Sequence, residues 1–120
     1  IDHNDLHPGN ILGGAAGPVR YYDWGDSVVA HPFAALLVPL GLVPPGPGRD
    51  RVRDAYLVVF SDLAPHDELV PTLGPACRVA RIARTLTWER ALRPAREQDE
   101  ALDPRWQDAP RETLVQLLDR

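Results

Sequence analysis

Hydrophobic residues recur with a helical period through most of the chain after residue 32. The first such set falls at positions i, i+3, i+4 and i+7 and comprises Phe33, Leu36, Leu37 and Leu40. This spacing predicts a helix with one apolar face. Pro32 suits the first turn of that helix, whereas Pro39 is expected to kink or end it.

The same period predicts three further helices. The second begins near Asp50, and its apolar stripe comprises Val52, Ala55, Tyr56, Val59 and Leu63. The third covers about residues 75–92, with an apolar side formed by Val79, Ile82, Ala83 and Leu86. Its arginines are expected to form an exposed face. The last helix follows Pro110 and carries Leu114, Leu117 and Leu118, whereas residues 94–109 are charged and show no clear period.

The first part of the chain has a different pattern, typical of a short β-hairpin. Residues 10–12 and 19–22 are strand-like, and glycines and a proline between them at 13–18 indicate a turn. Strands this short are not stable alone, so the hairpin must pack against something larger. Together, a hairpin and about four helices predict an α+β fold that is mostly α.

Composition limits the possible classes of protein. The chain has 120 residues, 44% of them hydrophobic and 25% charged, as in a single globular domain. A formal net charge of −4 argues against a nucleic-acid partner, and no apolar run is long enough to cross a membrane. The single cysteine, Cys77, cannot form an internal disulfide, which favours a reducing compartment such as the cytoplasm.

Two residue types are missing from the chain. There is no methionine, and all 13 basic residues are arginines. We therefore expect the chain to be an internal or C-terminal piece of a longer protein. Any mechanism that requires a lysine must find it outside these 120 residues.

Candidate catalytic residues are concentrated in the first 26 positions. Residues 3–10 read H-N-D-L-H-P-G-N, which has the form H-x-D-L-x-x-x-N. The triplet D-W-G begins 13 residues after Asn10, at Asp23. These motifs correspond to the H-R-D-L-x-x-x-N and D-F-G elements of protein kinases, with Asn4 in place of arginine and Trp24 in place of phenylalanine.

Phosphoryl transfer explains why these residue types occur in this order. A carboxylate must orient the attacking hydroxyl, and Asp5 is the candidate. Mg²⁺ prefers oxygen ligands and needs only one or two from the protein, which Asn10 and Asp23 could supply once the hairpin returns the chain. Asp26 is a weaker candidate, equally suited to approach the metal or to cap a turn.

Residues 3–33 resemble the catalytic core of the aminoglycoside phosphotransferase and choline kinase-like family, which is distantly kinase-like. The H-P-G-N at residues 7–10, the D-W at 23–24 and the H-P-F at 31–33 carry this resemblance. It implies that residues 1–120 are a kinase-like C-terminal lobe whose N-terminal nucleotide-binding lobe is missing. It also implies ATP as donor, Mg²⁺ as cofactor and a small-molecule hydroxyl acceptor, which could be aminoglycoside-like, choline-like or another compound.

The resemblance also implies a role for individual residues. Asp5 would be the catalytic carboxylate, and Asn10 and Asp23 would hold Mg²⁺ and with it the nucleotide. His3 would brace the catalytic loop. Because the lobe that carries the ATP-contacting lysine is missing, we expect the isolated chain to be marginally stable and to show no ATP turnover.

Other interpretations remain open. The chain could be a non-catalytic kinase-like fragment or a binding module. His3 and His7 flank Asp5 in the sequence, and imidazoles so placed are candidate zinc ligands. However, Pro8 and Gly9 break any strand that would align the two side chains. His7 is therefore expected to pack in the loop near the substrate.

Two further features could indicate ligand sites. The glycines at 13, 14 and 17 resemble a phosphate-binding loop, but they precede Pro18 and a strand, which favours a hairpin turn. A pocket for a cationic acceptor would need clustered carboxylates. The acidic residues of the helical region are too dispersed to define one, and they are expected to lie on solvated helix faces: Asp62, Asp67, Glu68, Glu89, Asp99 and Glu100.

Overall fold

The computed structural model of the chain describes residues 1–14 and 17–118. This part is mostly helical, with four α-helices and one two-stranded antiparallel sheet, so the predicted α+β, mostly α class is confirmed at that level. The turn predicted at residues 13–18 includes Ala15 and Ala16, which lie outside the described residues.

The hairpin forms where the sequence pattern predicted it. Strand β1 (Ile11–Leu12) pairs with strand β2 (Arg20–Tyr21), and Ile11 lies opposite Tyr21. No helix begins directly after the glycines, because β2 follows them. The segment therefore lacks the helix N-terminus that a phosphate-binding loop requires.

The first predicted helix forms in two parts. A 3-10 helix spans Pro32–Leu36 and continues as helix α1 (Leu37–Leu42). Pro39 does not end the helix, which was one of the two effects predicted for it. It is the third residue of α1, where the backbone N–H has no partner within the α-helix, so proline removes no helical hydrogen bond there.

Helix α2 spans Pro47–Leu57 and is followed by a short 3-10 helix. The apolar stripe predicted for this helix is wrong in its C-terminal half. Leu57, which lies outside that stripe, is fully buried, whereas Val59 and Leu63 are each 71% exposed. Because α2 ends at Leu57, the α-helical spacing does not extend to these two residues. Of the predicted stripe, Tyr56 packs against the core.

Helix α3 (His66–Glu97) is the longest element, with 32 residues, and begins well before the predicted start near Pro75. Pro71 and Pro75 lie inside it, although proline usually interrupts a helix. The first part of α3 carries Leu69 and Leu73, which are both buried in the core. Their burial stabilises the turns that the prolines alone would disfavour.

The side of α3 that faces the interior also differs from the apolar stripe predicted for it. Val79, Ile82 and Leu86 are exposed, whereas Ala80 and Thr87 are buried. A second face of α3 carries these small or polar side chains, and it packs against the N-terminal part of the chain, where Thr87 contacts Asn4.

Helix α4 (Ala109–Val115) packs along α3 and begins one residue before Pro110, which lies in its first turn. Of the apolar residues predicted for this helix, Leu114 lies within it, whereas Leu117 and Leu118 lie beyond its end. The main hydrophobic core combines residues of α1, α2, α3 and the 3-10 helix before α1: Phe33, Leu36, Leu40, Leu57, Leu69 and Leu73. Within the described part of the chain, no helix is both long enough and apolar enough to cross a membrane.

Candidate functional site

The H-x-D motif lies in a turn that is anchored on both sides. The backbone of Asp2 exchanges hydrogen bonds of 2.9 and 3.0 Å with Val28, beyond the hairpin. The Asp2 carboxylate accepts a hydrogen bond of 2.8 Å from the backbone N–H of Asn4. Asn4 has a φ of 62°, in the left-handed region that asparagine tolerates better than most residues. This conformation turns the chain immediately before Asp5.

The hairpin brings Asn10 next to the D-W segment. The backbone N–H of Tyr22 donates to the carbonyl of Asn10 at 3.1 Å, which continues the strand pairing by one residue. Asp23 follows directly, with a φ of 58° and an exposed side chain that makes no capping hydrogen bond. Of the three non-glycine residues with a left-handed backbone in the described part of the chain, Asn4 and Asp23 lie in this region, and the third, Asp99, follows α3.

Asn10 connects Asp23 to the catalytic-loop candidate, Asp5. Its side-chain Nδ2 donates to the backbone carbonyl of Asp5 at 3.0 Å, and the residue is buried. Since Nδ2 is used in this way, Oδ1 is the atom of Asn10 that could bind a cation. Two hydrogen bonds thus connect Asn10 to the backbone of Asp5 and to Tyr22, the residue immediately before Asp23.

An arginine and a histidine flank the carboxylate of Asp5. Its Oδ1 lies 2.7 Å from Nη1 of Arg84, an ion pair in which the two side chains are only 20% and 16% exposed. The orientation is not that of a hydrogen bond to Oδ1; Nη1 donates instead to the carbonyl of Asn4, at 3.2 Å. Oδ2 lies 3.7 Å from Nε2 of His7, beyond hydrogen-bond range, so it can still accept a proton from another group.

His3 holds the loop against the end of the hairpin. The side chain is buried, and its Nε2 lies 2.6 Å from the carbonyl oxygen of Tyr22. Because a carbonyl only accepts, Nε2 carries the hydrogen. The ring also lies 4.8 Å from that of Trp24. His3 therefore contacts the residues on either side of Asp23.

The remaining two candidates also have partners, one close in the chain and one on α3. His7 caps the 3-10 helix Pro8–Asn10, where its Nδ1 accepts a hydrogen bond of 3.1 Å from the N–H of Gly9. Asp26 forms an ion pair with Arg90 of α3, and its backbone carbonyl accepts from Nδ2 of Asn4 at 3.3 Å. Both side chains stabilise the shape of the loop.

The second face of α3 is the part of the site that the sequence did not reveal. It carries Arg84, Thr87 and Arg90, three positions apart and so on one side of the helix. These side chains contact, in order, Asp5, Asn4 and Asp26. The expectation that the arginines of α3 form an exposed face is wrong for Arg84. The recurrence of polar residues at every third position, 84, 87 and 90, is the sequence feature that could have predicted this face.

Arg84 is itself held by aromatic rings. Its guanidinium carbon lies 4.9 Å from the centre of the Trp88 ring, within the range of a cation–π contact. Trp88 stacks on Trp106 with ring centres 5.3 Å apart and planes 18° apart. The residues after α3 therefore help to orient the guanidinium that faces Asp5.

The described residues contain no group of three or more His, Cys, Asp and Glu side chains arranged to hold a metal ion. The alternative of a zinc site at His3 and His7 thus gains no support from the structure. A magnesium ion that is also bound by phosphates needs fewer protein ligands. The Oδ1 of Asn10 and the carboxylate of Asp23 are hard oxygen donors of the type it prefers.

Comparisons with known proteins add no relative. The chain matches no family model, and searches of curated proteins and of solved structures give no match. Its function must therefore be inferred from its own residues and their geometry.

Proposed function

We propose that this chain is the catalytic-loop lobe of an ATP- and Mg²⁺-dependent phosphotransferase that acts on a hydroxyl group of a small molecule. The observation that carries this proposal is the linkage of Asp5, Asn10 and Asp23. The Asn10 side chain bonds to the backbone of Asp5 at 3.0 Å, and its carbonyl bonds to Tyr22, next to Asp23, at 3.1 Å. The motif resemblance of residues 3–33 to small-molecule kinases supports the same conclusion.

In the proposed reaction, Asp5 orients the acceptor hydroxyl. Oδ2 accepts the hydroxyl proton while the hydroxyl oxygen forms a bond to the γ-phosphorus of ATP. The bond between this phosphorus and the β,γ-bridging oxygen breaks, and ADP leaves with that oxygen. Arg84 holds Oδ1 through the 2.7 Å ion pair, so the carboxylate stays in one orientation during transfer.

Asn10 and Asp23 are the proposed protein ligands of the metal. When bound, Mg²⁺ would neutralise charge on the transferred phosphate. Asn10 is held for this purpose by its bond to the Asp5 backbone, and the exposed Asp23 carboxylate lies one residue beyond the end of the strand pairing. His3 supports both through its contacts with Tyr22 and Trp24.

The proposal requires a separate nucleotide-binding lobe. The chain has no lysine, so a lysine that contacts ATP must come from that lobe. Residues 1–120 then supply the catalytic loop, the metal ligands and the helical base. Because the donor is ATP, the proposed reaction belongs in the cytoplasm.

Metal and nucleotide binding test the proposal in the natural polypeptide that contains this chain, because the proposal needs the nucleotide-binding lobe to hold ATP. We expect Mn²⁺ with ATP to broaden the amide NMR signals of Ile11 and Trp24 more than those of α4, because paramagnetic broadening falls steeply with distance. In Asp23→Asn this selective broadening should be lost, whereas Asp62→Asn, on an exposed turn, should keep it. Equal broadening in the wild type and in Asp23→Asn would refute the metal site.

Catalysis is tested in the natural polypeptide that contains this chain. We expect Asp5→Asn and Asp23→Asn each to lower ATP-dependent phosphorylation by at least about 100-fold, the scale typical of lost acid–base or electrostatic catalysis. Near-normal turnover in either variant would contradict the assigned roles.

A non-catalytic module is the second candidate. The ion pair between Asp5 and Arg84 favours it, because a carboxylate held by an arginine can serve structure alone. This alternative predicts no Mn²⁺-dependent nucleotide binding. It also predicts that the variants of Asp5 and Asp23 change only stability.

A further inference from the structure

A large cleft lies on the side of α3 where α1, α2 and α4 meet it. Its volume is about 1070 Å³, at the upper end of the range for small-molecule pockets. The apolar part of its lining includes Leu37, Leu40, Val70 and Leu73. Such a lining would bury the hydrocarbon or ring system of a ligand.

The charged part of the lining consists of arginines alone. Five of them line the cleft, and no aspartate or glutamate does so in the part of the chain that the structure describes: Arg49, Arg53, Arg78, Arg81 and Arg84. A cleft with cations at its edge and no carboxylate repels a cationic ligand and attracts an anionic one. This charge pattern disfavours an aminoglycoside-like or choline-like occupant.

Two of these arginines already have carboxylate partners. Arg53 forms ion pairs with Asp50 at 3.0 Å and with Asp54 at 2.7 Å. Arg84 pairs with Asp5 at 2.7 Å. Their charges are largely compensated within the protein.

Arg49 and Arg81 differ from these two. Arg81 donates to the side-chain amide of Gln116, a neutral partner, and neither arginine forms an ion pair with a carboxylate of the described residues. Both line the same cleft as the thiol of Cys77. The cleft lining therefore includes two arginines whose charge no carboxylate of the described residues compensates through an ion pair.

From this arrangement we propose that the cleft binds an amphiphilic anion, a carboxylate or phosphate group carried on an apolar body. Arg49 and Arg81 bind the anionic group, and the leucines and valine bury the apolar body. Asp5, Asn10 and Asp23 do not line this cleft, and Arg49 and Arg81 do not contact them, so binding of the anion does not require the proposed phosphoryl transfer. If the proposed phosphoryl transfer takes place, the ligand of this cleft is either its acceptor or a regulator of the reaction, because Arg84 lines the cleft and pairs with Asp5.

Direct titration of the 120-residue chain tests the proposal without ATP or metal. The probes are decanoate, decyl phosphate, decyltrimethylammonium and inorganic phosphate, each below its micelle concentration, followed by calorimetry. We expect the two decyl anions to bind at least about tenfold more tightly than decyltrimethylammonium, since one charged hydrogen bond corresponds to about a factor of ten. Inorganic phosphate should bind at least about tenfold more weakly than decyl phosphate, because it buries no apolar surface.

Single substitutions identify the anion-binding residues. We expect Arg49→Gln and Arg81→Gln each to weaken decanoate binding about tenfold. Arg51→Gln is the matched control, because Arg51 lies on the same helix as Arg49 but does not line the cleft, and it should change binding less than twofold. Arg49→Gln keeps the test valid even if loss of the Arg81–Gln116 contact disturbs α4.

Cys77 reports where the probe binds, because it is the only cysteine of the chain. Decanoate should slow the reaction of Cys77 with a thiol reagent in the wild type and much less so in Arg49→Gln. Equal affinity for the anionic and cationic probes, or unchanged affinity in both arginine variants, would overturn the proposal. Dimerisation in sedimentation experiments without probe binding would also overturn it, since a second copy would then cover the cleft.

Discussion

Replacing Arg84 with methionine removes the charge that faces Asp5 while it keeps most of the apolar stem. The structure allows the effect on stability to be bounded. Nη1 of Arg84 lies 2.7 Å from the Asp5 carboxylate and donates to the Asn4 carbonyl at 3.2 Å. The side chains of Arg84 and Asp5 are only 16% and 20% exposed, so solvent screens their attraction less than at an open surface.

The expected loss lies between two known limits. Exposed ion pairs contribute about 0.2–1 kcal/mol, whereas removing one partner of a fully buried pair costs about 3–5 kcal/mol. For a pair buried to this degree, we expect Arg84→Met to lower the free energy of unfolding by about 2 kcal/mol. In a domain of this size, that corresponds to a decrease in Tm of about 8 °C.

Urea denaturation followed by far-UV circular dichroism measures this loss. The matched control is Arg111→Met on α4, an exposed position without a carboxylate partner among the described residues, where we expect a change below about 0.5 kcal/mol. A double-mutant cycle with Asp5→Asn should give a coupling energy of about 1–2 kcal/mol. A coupling energy near zero, or equal losses in the two arginine variants, would refute the view that α3 holds the catalytic-loop candidate through this pair.

Two further predictions concern single hydroxyl groups. Thr87→Val should lower the free energy of unfolding by about 1–2 kcal/mol, because it removes the 2.9 Å hydrogen-bond partner of the buried Nδ2 of Asn4. The control Thr85→Val should be nearly neutral. Equal urea midpoints for the two variants would contradict this prediction. Burial raises the pKa of Tyr56, whose hydroxyl donates to the Pro32 carbonyl at 2.7 Å. Its contribution is therefore complete below pH 10 and lost as pH rises further, so Tyr56→Phe should flatten the alkaline fall in stability.

The local features of the site followed from the sequence. Residue types at 3–10 and 23–25 pointed to the Asp5, Asn10 and Asp23 set, and the glycines between short apolar runs predicted the hairpin that links them. Both are determined by neighbours close in the chain, such as the pairing of Ile11 with Tyr21. Short-range chemistry of this kind can be predicted because turn conformation and strand alternation depend on adjacent residues.

The tertiary structure decided which helix faces are buried and which distant side chains meet. Val79 and Ile82 carry the apolar period of α3, yet they are exposed, whereas the buried Thr87 contacts a loop residue 83 positions away. A helical period shows that a face is apolar but not which neighbour will cover it. The pairing of Arg84 with Asp5 has no local signal at all, since it depends on how a 32-residue helix packs against the N-terminal loop. Only that packing brings a charge from the middle of the helix to the candidate catalytic carboxylate.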